Sequence, residues 1–442
     1  LSFLKSENYP KAVEYLERAS LLDDYELDKK FNYGVALKKN RNFERANEVF
    51  DEILKIDRNY QKAQEEKVEV LFAQDKFEEA LESVKKVLIQ DLNNPSAHHL
   101  MSNTLAKLNR WEEAIDAEKK ALKIDRNFTQ GHIFLGDLYY TLEKYREAIN
   151  SYNRALRLTP TDSNIYFKRG KSYSLLENFG EAVNDFNRSL KSDSTNLNAK
   201  LELANLLFDL NRFNESIELY NDVLAVNSND LNALRNLSKS YFSEGYYKDA
   251  VASLQLYLSQ NADPDYQNLL GHAYSKLNMI EQAVDAFKMV SNLNPEYKDV
   301  NYNIGLLYAR IEDFDKSTES FKEAIRIHPN DTKSHVELGR SYISQNFIQN
   351  AISSFELALR IDQQYAPAYY HMGEAFKVNN QNTDAAVAFK TAIIINPEYV
   401  EAYYELGLAY FTLKEYTKAA DAFRKGINLE PLNEPDYFYQ LG

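Results

Sequence analysis

The sequence predicts an all-α solenoid, an array of stacked helix-turn-helix hairpins, and three observations carry that reading. Leu-Gly or a close variant recurs as Leu135-Gly136, Leu270-Gly271, Ile304-Gly305, Leu338-Gly339, Met372-Gly373 and Leu406-Gly407, most neighbouring copies lying 34 residues apart. Twelve residues after each glycine stands a small residue (Ala148, Ala283, Ser317, Ala351, Ala385, Ala419), and four further on an aromatic (Tyr152, Phe287, Phe321, Phe355, Phe389, Phe423). Pro160, Pro295, Pro329, Pro397 and Pro431 share one register. A fixed period of this length with fixed internal offsets marks a helix-turn-helix repeat.

Each unit reads as two amphipathic helices. In the unit at 129–162, helix A carries Leu135, Gly136, Tyr139 and Tyr140, and helix B carries Ala148, Ile149, Tyr152, Ala155 and Leu156. Spacings of three and four give each helix one apolar stripe. The small position of helix A reads Gly34, Val68, Ser102, Gly136, Gly170, Ala204, Ser238, Gly271, Gly305, Gly339, Gly373 and Gly407. That of helix B is Ala or Ser throughout, from Ala12 to Ala419. Glycine inside a helix costs roughly 1 kcal/mol relative to alanine, so its recurrence calls for a packing reason. Here the glycine and alanine are expected to bring the two backbones together, with the aromatic filling the space beside them. The prolines end helix B. Aromatics such as Phe43, Trp111, Tyr145, Phe213 and Tyr416 sit in the A-to-B turn and are expected to plug it.

The run Tyr403-x-x-Leu406-Gly407-x-x-Tyr410, then Ala419-x-x-x-Phe423, then Pro431 resembles the tetratricopeptide repeat (TPR) family. The resemblance covers essentially the whole chain. It implies a right-handed superhelix of hairpins with helix A lining an inner groove. Twelve complete units are expected: 27–60, 61–94, 95–128, 129–162, 163–196, 197–230, 231–263, 264–297, 298–331, 332–365, 366–399 and 400–433. Residues 1–26 hold a partial unit, mainly a helix B, and 434–442 begin a further helix A. With no capping helix at either end, where a solenoid usually needs one, the chain reads as a fragment of a longer protein. The unit at 231–263 is one residue short and puts Leu254 and Tyr257 where an aromatic and a small residue are expected, so a hinge or a change of twist is expected there. Val68 and Glu118 break the pattern in 61–128, where looser packing is expected.

Composition narrows the function. Net charge is −14 and pI about 5.2, so general nucleic-acid binding, which depends on Lys and Arg neutralising phosphates, is not expected. No apolar stretch is long enough to span a membrane. Cysteine is absent, which removes disulfides and thiolate chemistry and leaves the compartment open, with the cytoplasm as the default reading. The seven histidines form no His-Glu-x-x-His, and structural roles are expected for them. No catalytic residue, metal or cofactor is expected, and the oligomeric state is left open.

The resemblance also says where a ligand would lie. In the family the inner groove is lined by helix A residues three before, two before and one after the small residue. Here those positions include Lys168 and Lys171, Asn205, Arg235, Asn236 and Lys239, Asn268 and His272, then Tyr302 and Asn303. Asparagine offers a peptide backbone both a donor and an acceptor, and Lys and Arg bind carboxylates with charge-assisted hydrogen bonds. The expected function is therefore a non-enzymatic scaffold holding an extended, acidic peptide segment in the groove. The arrangement by which co-chaperone members hold acidic C-terminal tails is not reproduced: Lys239 and Leu269 stand where it needs Asn. The alternative is the substrate-targeting arm of a larger enzyme such as a glycosyltransferase. That family's groove carries an asparagine ladder, which here reduces to Asn32, Asn236 and Asn303.

Overall fold

The computed structural model describes residues 7–21 and 26–429, and these contain twenty-five α-helices and no strand. Tyr9–Leu21 comes first, followed by helix A and helix B pairs from Leu27–Lys39 with Phe43–Ile56 to Val400–Thr412 with Tyr416–Leu429. The helix A expected to begin at 434 lies outside the described residues. The chain forms two compact units, Leu1–Glu215 and Ser216–Gly442, and each is described by itself below.

The repeat glycines have a sharper role than the sequence suggests. A Cβ on Gly305 would lie 2.6 Å from the Phe321 ring, on Gly339 2.5 Å from Phe355, on Gly373 2.7 Å from Phe389 and on Gly407 2.4 Å from Phe423. Gly34 faces Phe50, Gly136 faces Tyr152, and Gly170 faces Phe186 in the same way. The nearest obstacle is thus the helix B ring sixteen residues on, not the helix B alanine. Where helix A carries a side chain larger than glycine, the partner sixteen residues on often shrinks. Val68 stands opposite Val84 and Ser238 opposite Leu254, and Val68, Val84 and Leu254 are all fully buried.

The stretch 61–128 is not loosened by its departures. Val68, Leu71, Ala80 and Val84 belong to one buried cluster with Ala114, Leu135 and Leu138. Ser102 Oγ donates to the Ala114 carbonyl at 2.7 Å. Glu118, fully buried in place of the aromatic, meets His99 Nδ1 with both oxygens at 3.0 Å. Gly131 makes room for that carboxylate, since a Cβ there would lie 2.7 Å from its Oε1.

Each A-to-B turn is closed by one residue in the left-handed region. These residues run in the repeat register from Glu7 and Arg41 through Glu177 to Asn380 and Lys414, and only Gly245 among them is glycine. At Glu177 (φ 59°) the Asn178 N–H donates to the Tyr173 carbonyl at 2.9 Å and the Glu177 N–H to that of Ser174 at 3.0 Å. Together these bonds cap the helix by the Schellman pattern. A side chain is unfavourable in this conformation. Glu177→Gly should therefore raise stability by about 0.5–1 kcal/mol, after glycine's own entropic cost. Chemical denaturation would show it as a higher midpoint, and a lower one would contradict the account.

Two places break the register in the second unit. In the short repeat, Tyr257 donates to Asp263 Oδ2 at 3.0 Å, accepts from Asn261 Nδ2 at 2.6 Å and packs 5.1 Å from the Tyr266 ring. The expected hinge is a cross-tied corner. The second break is Asp299 (φ 65°), the one positive-φ residue outside the repeat register among the described residues. It delays the next helix A, Val300–Arg310, which has 11 residues where its neighbours have 13.

Candidate functional site

The ten groove residues fall into both units, and the structure treats the two sets differently. In the first unit Lys168 Nζ lies 2.6 Å from Asp137 Oδ2, and Asp137 also accepts from the buried Tyr152 hydroxyl at 2.7 Å. Burial and the Asp137 charge raise the Tyr152 phenol, which stays a donor. Lys171 Nζ lies 3.5 Å from Glu202 and within 6 Å of the Tyr140 and Phe167 rings. Both lysines are thus neutralised by acids on a neighbouring helix A. Asn205 is half-buried on the helix Leu197–Asp209.

In the second unit Arg235 is exposed. Its one polar contact is a long 3.5 Å approach to Asn236 Oδ1, and among the described residues no carboxylate comes within ion-pair distance of it. Asn236 Nδ2 donates to the Tyr220 hydroxyl at 3.1 Å. Lys239, one helical turn along from Arg235, is exposed.

The structure brings Asn268, His272, Tyr302 and Asn303 together on one open cavity of about 620 Å³. Asn268 and His272 come from the helix Pro264–Lys276, Tyr302 and Asn303 from the shortened helix. The Asn268 Oδ1 is shielded from solvent and has no hydrogen-bond partner, which is uncommon for a buried polar atom. The His272 ring sits edge-on, 5.1 Å from Phe287. Burial, with a lesser effect of Lys276, holds its imidazole below the usual range. It is therefore neutral near pH 7 and keeps one donor and one acceptor. Burial first, then Glu337 and other nearby groups, pushes the Tyr302 phenol up to about 12, so it too is a donor.

The remaining wall was not foreseen in the sequence. Glu296, Tyr297, Lys298 and Asp299 line the cavity because the helix starts late. The Tyr297 hydroxyl donates to Asp265 Oδ1 at 2.7 Å, which fixes that segment against the previous helix A. Lys333 and Asp331 close the far side. The one available signal was Lys298-Asp299 in the register where the next unit has Thr332-Lys333, a helix start. Periodicity alone reads both as helical.

Histidine serves packing in three units. His98, His132 and His335 each bond Nε2 to the carbonyl six residues earlier, at 3.0–3.1 Å, and Tyr166 does the same with its hydroxyl at 2.9 Å. Among the described residues no group of three or more His, Asp or Glu is placed to hold a metal ion. No described helix is long and apolar enough to cross a membrane.

Family profiles described as tetratricopeptide repeat match residues 37–104, 163–196, 201–266, 264–297, 299–331, 332–365 and 370–431, and one described as TPR repeat matches 136–177. No curated protein matches the chain. Solved structures similar to it include the C-terminal part of a TPR repeat-containing protein from Cytophaga hutchinsonii, at 20% identity and TM-score 0.47, over 55% of this chain and 99% of that one. MamA matches at 24% identity and TM-score 0.35, over 37% of this chain and 95% of that one. The Cut9–Hcn1 hetero-tetramer of the APC/C matches at 13% identity and TM-score 0.39, over 100% and 94%. On the profile matches and the repeated hairpins, the chain belongs to the tetratricopeptide repeat family, whose arrays serve in general as surfaces for binding other proteins.

Proposed function

We propose that this protein is a non-enzymatic interaction scaffold and that the helix A side of its second unit holds an extended peptide segment of a partner. The observation that supports it best is the cavity where Asn268, His272, Tyr302 and Asn303 converge, with the Asn268 Oδ1 shielded and unpartnered. A peptide N–H would satisfy that oxygen, and the Asn303 amide offers a second donor and acceptor to the next peptide group. Lys298 and Lys333 on the cavity, and Arg235 and Lys239 on the preceding helix A, favour carboxylate side chains in the segment. Asp299, Asp331 and Glu296 also face the cavity, so acidic residues fit best beside Arg235. In the first unit an acidic segment would have to displace Asp137 from Lys168 or Glu202 from Lys171. The recognition site is therefore assigned to the second unit.

The test begins with peptides selected from a random displayed library against the full chain. Binding in roughly the micromolar range, about −8 kcal/mol, is expected for a short segment. Asn268→Ala with Asn303→Ala should weaken it about tenfold, the 1.4 kcal/mol expected when hydrogen bonds to the peptide are lost, at an unchanged unfolding midpoint. Arg235→Glu with Lys239→Glu should weaken acidic peptides and flatten their salt dependence. Selected peptides that bind the asparagine variant as tightly as the unaltered chain would overturn the assignment.

A further inference from the structure

The basic side chains best placed for a ligand in the first unit are on the helix B side, where the repeat register lines them up. At one position of successive helices B stand Lys86, Lys120, Arg154 and Arg188, and one turn on stand Lys123, Arg157 and Lys191. All are exposed. The first of these rows continues in the second unit's sequence as Asp222, Leu256, Met289, Glu323, Leu357, Thr391 and Lys425, so consecutive basic residues stand in it only in the first unit.

Two cavities of about 470 and 450 Å³ open between the helices Trp111–Ile124 and Tyr145–Leu158, and they share Leu122, Arg126 and Arg154. They therefore form one groove. Lys119 and Lys123 line it from the first helix, Arg126 from the turn, and Arg154 and Arg157 from the second helix. Among the described residues none of these five cations has a carboxylate within ion-pair distance, and Glu147 is the one acid on the groove. Cations elsewhere on the chain are often tied, as Arg110 is to Glu113 and Arg212 to Glu215. Leu122 and Leu135 give the groove an apolar floor. A third cavity of about 480 Å³ carries Lys55, Arg58 and Lys86 two repeats earlier, with its Asp51 already held by Lys67.

We propose that this groove docks a short acidic segment of a partner protein, a run of Asp and Glu laid across the helix B side of the first unit. The surface differs from the peptide site assigned above and does not depend on it. The choice of partner follows from charge. Screening confines each exposed cation's reach to about 8 Å at physiological ionic strength, so a segment confined to the groove meets the cations alone. A long polyanion such as duplex DNA, with a charge about every 1.7 Å, would extend onto a chain whose net charge is −14. The apolar floor also suits a peptide carrying a leucine or phenylalanine among its acids.

The experiment titrates a fluorescent oligoglutamate peptide with the full chain. Among the described residues Arg154 and Arg157 have no side-chain hydrogen-bond or ion-pair partner, so Arg154→Glu with Arg157→Glu should leave the unfolding midpoint unchanged. The unaltered chain should bind in roughly the micromolar range, more weakly as salt rises. The double variant should lose at least about tenfold, a larger loss than Arg235→Glu in the second unit causes. Library peptides that bind the second unit should in turn keep their affinity in the double variant, so the two sites fail or hold separately. Equal binding of oligoglutamate to the unaltered and doubly reversed chains, no binding at all, or binding of duplex DNA in its place would each overturn the proposal.

Discussion

Replacing Arg169 with alanine should destabilise the first unit by about 3–5 kcal/mol, the range for removing one partner of a buried ion pair. Arg169 grips Asp185 with Nε and Nη2, both at 2.6 Å, and reaches Asn153 with Nη1. The Asp185 side chain is 3% exposed, and that of Arg169 14%. The guanidinium also lies 5.5 Å from the Tyr166 ring and 5.7 Å from Tyr173. With arginine gone, the carboxylate is left charged in a site water hardly reaches. Arg169→Met combined with Asp185→Leu should recover most of the loss, because removing both charges removes the desolvation penalty as well. A repeat array need not unfold in one step, so hydrogen exchange is the discriminating measurement. Protection should fall first in the helices Ser163–Leu175 and Phe179–Ser192, which carry the pair. Unchanged protection there would mean that water reaches Asp185 in the native state.

The second large effect is expected at the glycine and ring contact of the second unit. Gly305→Val places a branched side chain where even a Cβ meets the Phe321 ring at 2.6 Å. Phe321 is fully buried and has nowhere to turn, so overpacking should cost about 1–3 kcal/mol. Phe321→Ala alone should cost about 3–5 kcal/mol through lost burial and the cavity it leaves. The chain itself suggests the compensating pair, because Val68 and Val84 occupy the equivalent positions and are fully buried. Gly305→Val with Phe321→Val should therefore lose less than the two single changes added together. A double-mutant cycle would show a coupling of about 0.5–3 kcal/mol, the range for residues in contact. Strict additivity would mean that the two positions do not meet.

The same contacts show what the sequence decides. The hairpins and the buried stripe follow from a pattern repeated every 34 residues. Gly305, Ala324 and Phe321 are each one instance of a position seen many times, so periodicity identifies them without a neighbour in view. The family followed from the same residues. Register also marks charge, which is why Lys168, Lys171, Arg235 and Lys239 could be picked out as one basic set.

Partnership is what the sequence left open. Lys168 meets Asp137 across 31 residues and Lys171 meets Glu202 across the same distance, because neighbouring helices A lie side by side. Whether a charge is spent inside the protein or left for a ligand depends on that packing. The cavity around Asn268 and Asn303 likewise depends on Asp299, whose left-handed backbone delays a helix that every periodic signal starts earlier. Periodicity fixes which face of a helix a residue occupies. Only the packed helices decide which side chain lies opposite it, and so which polar groups are left for a partner.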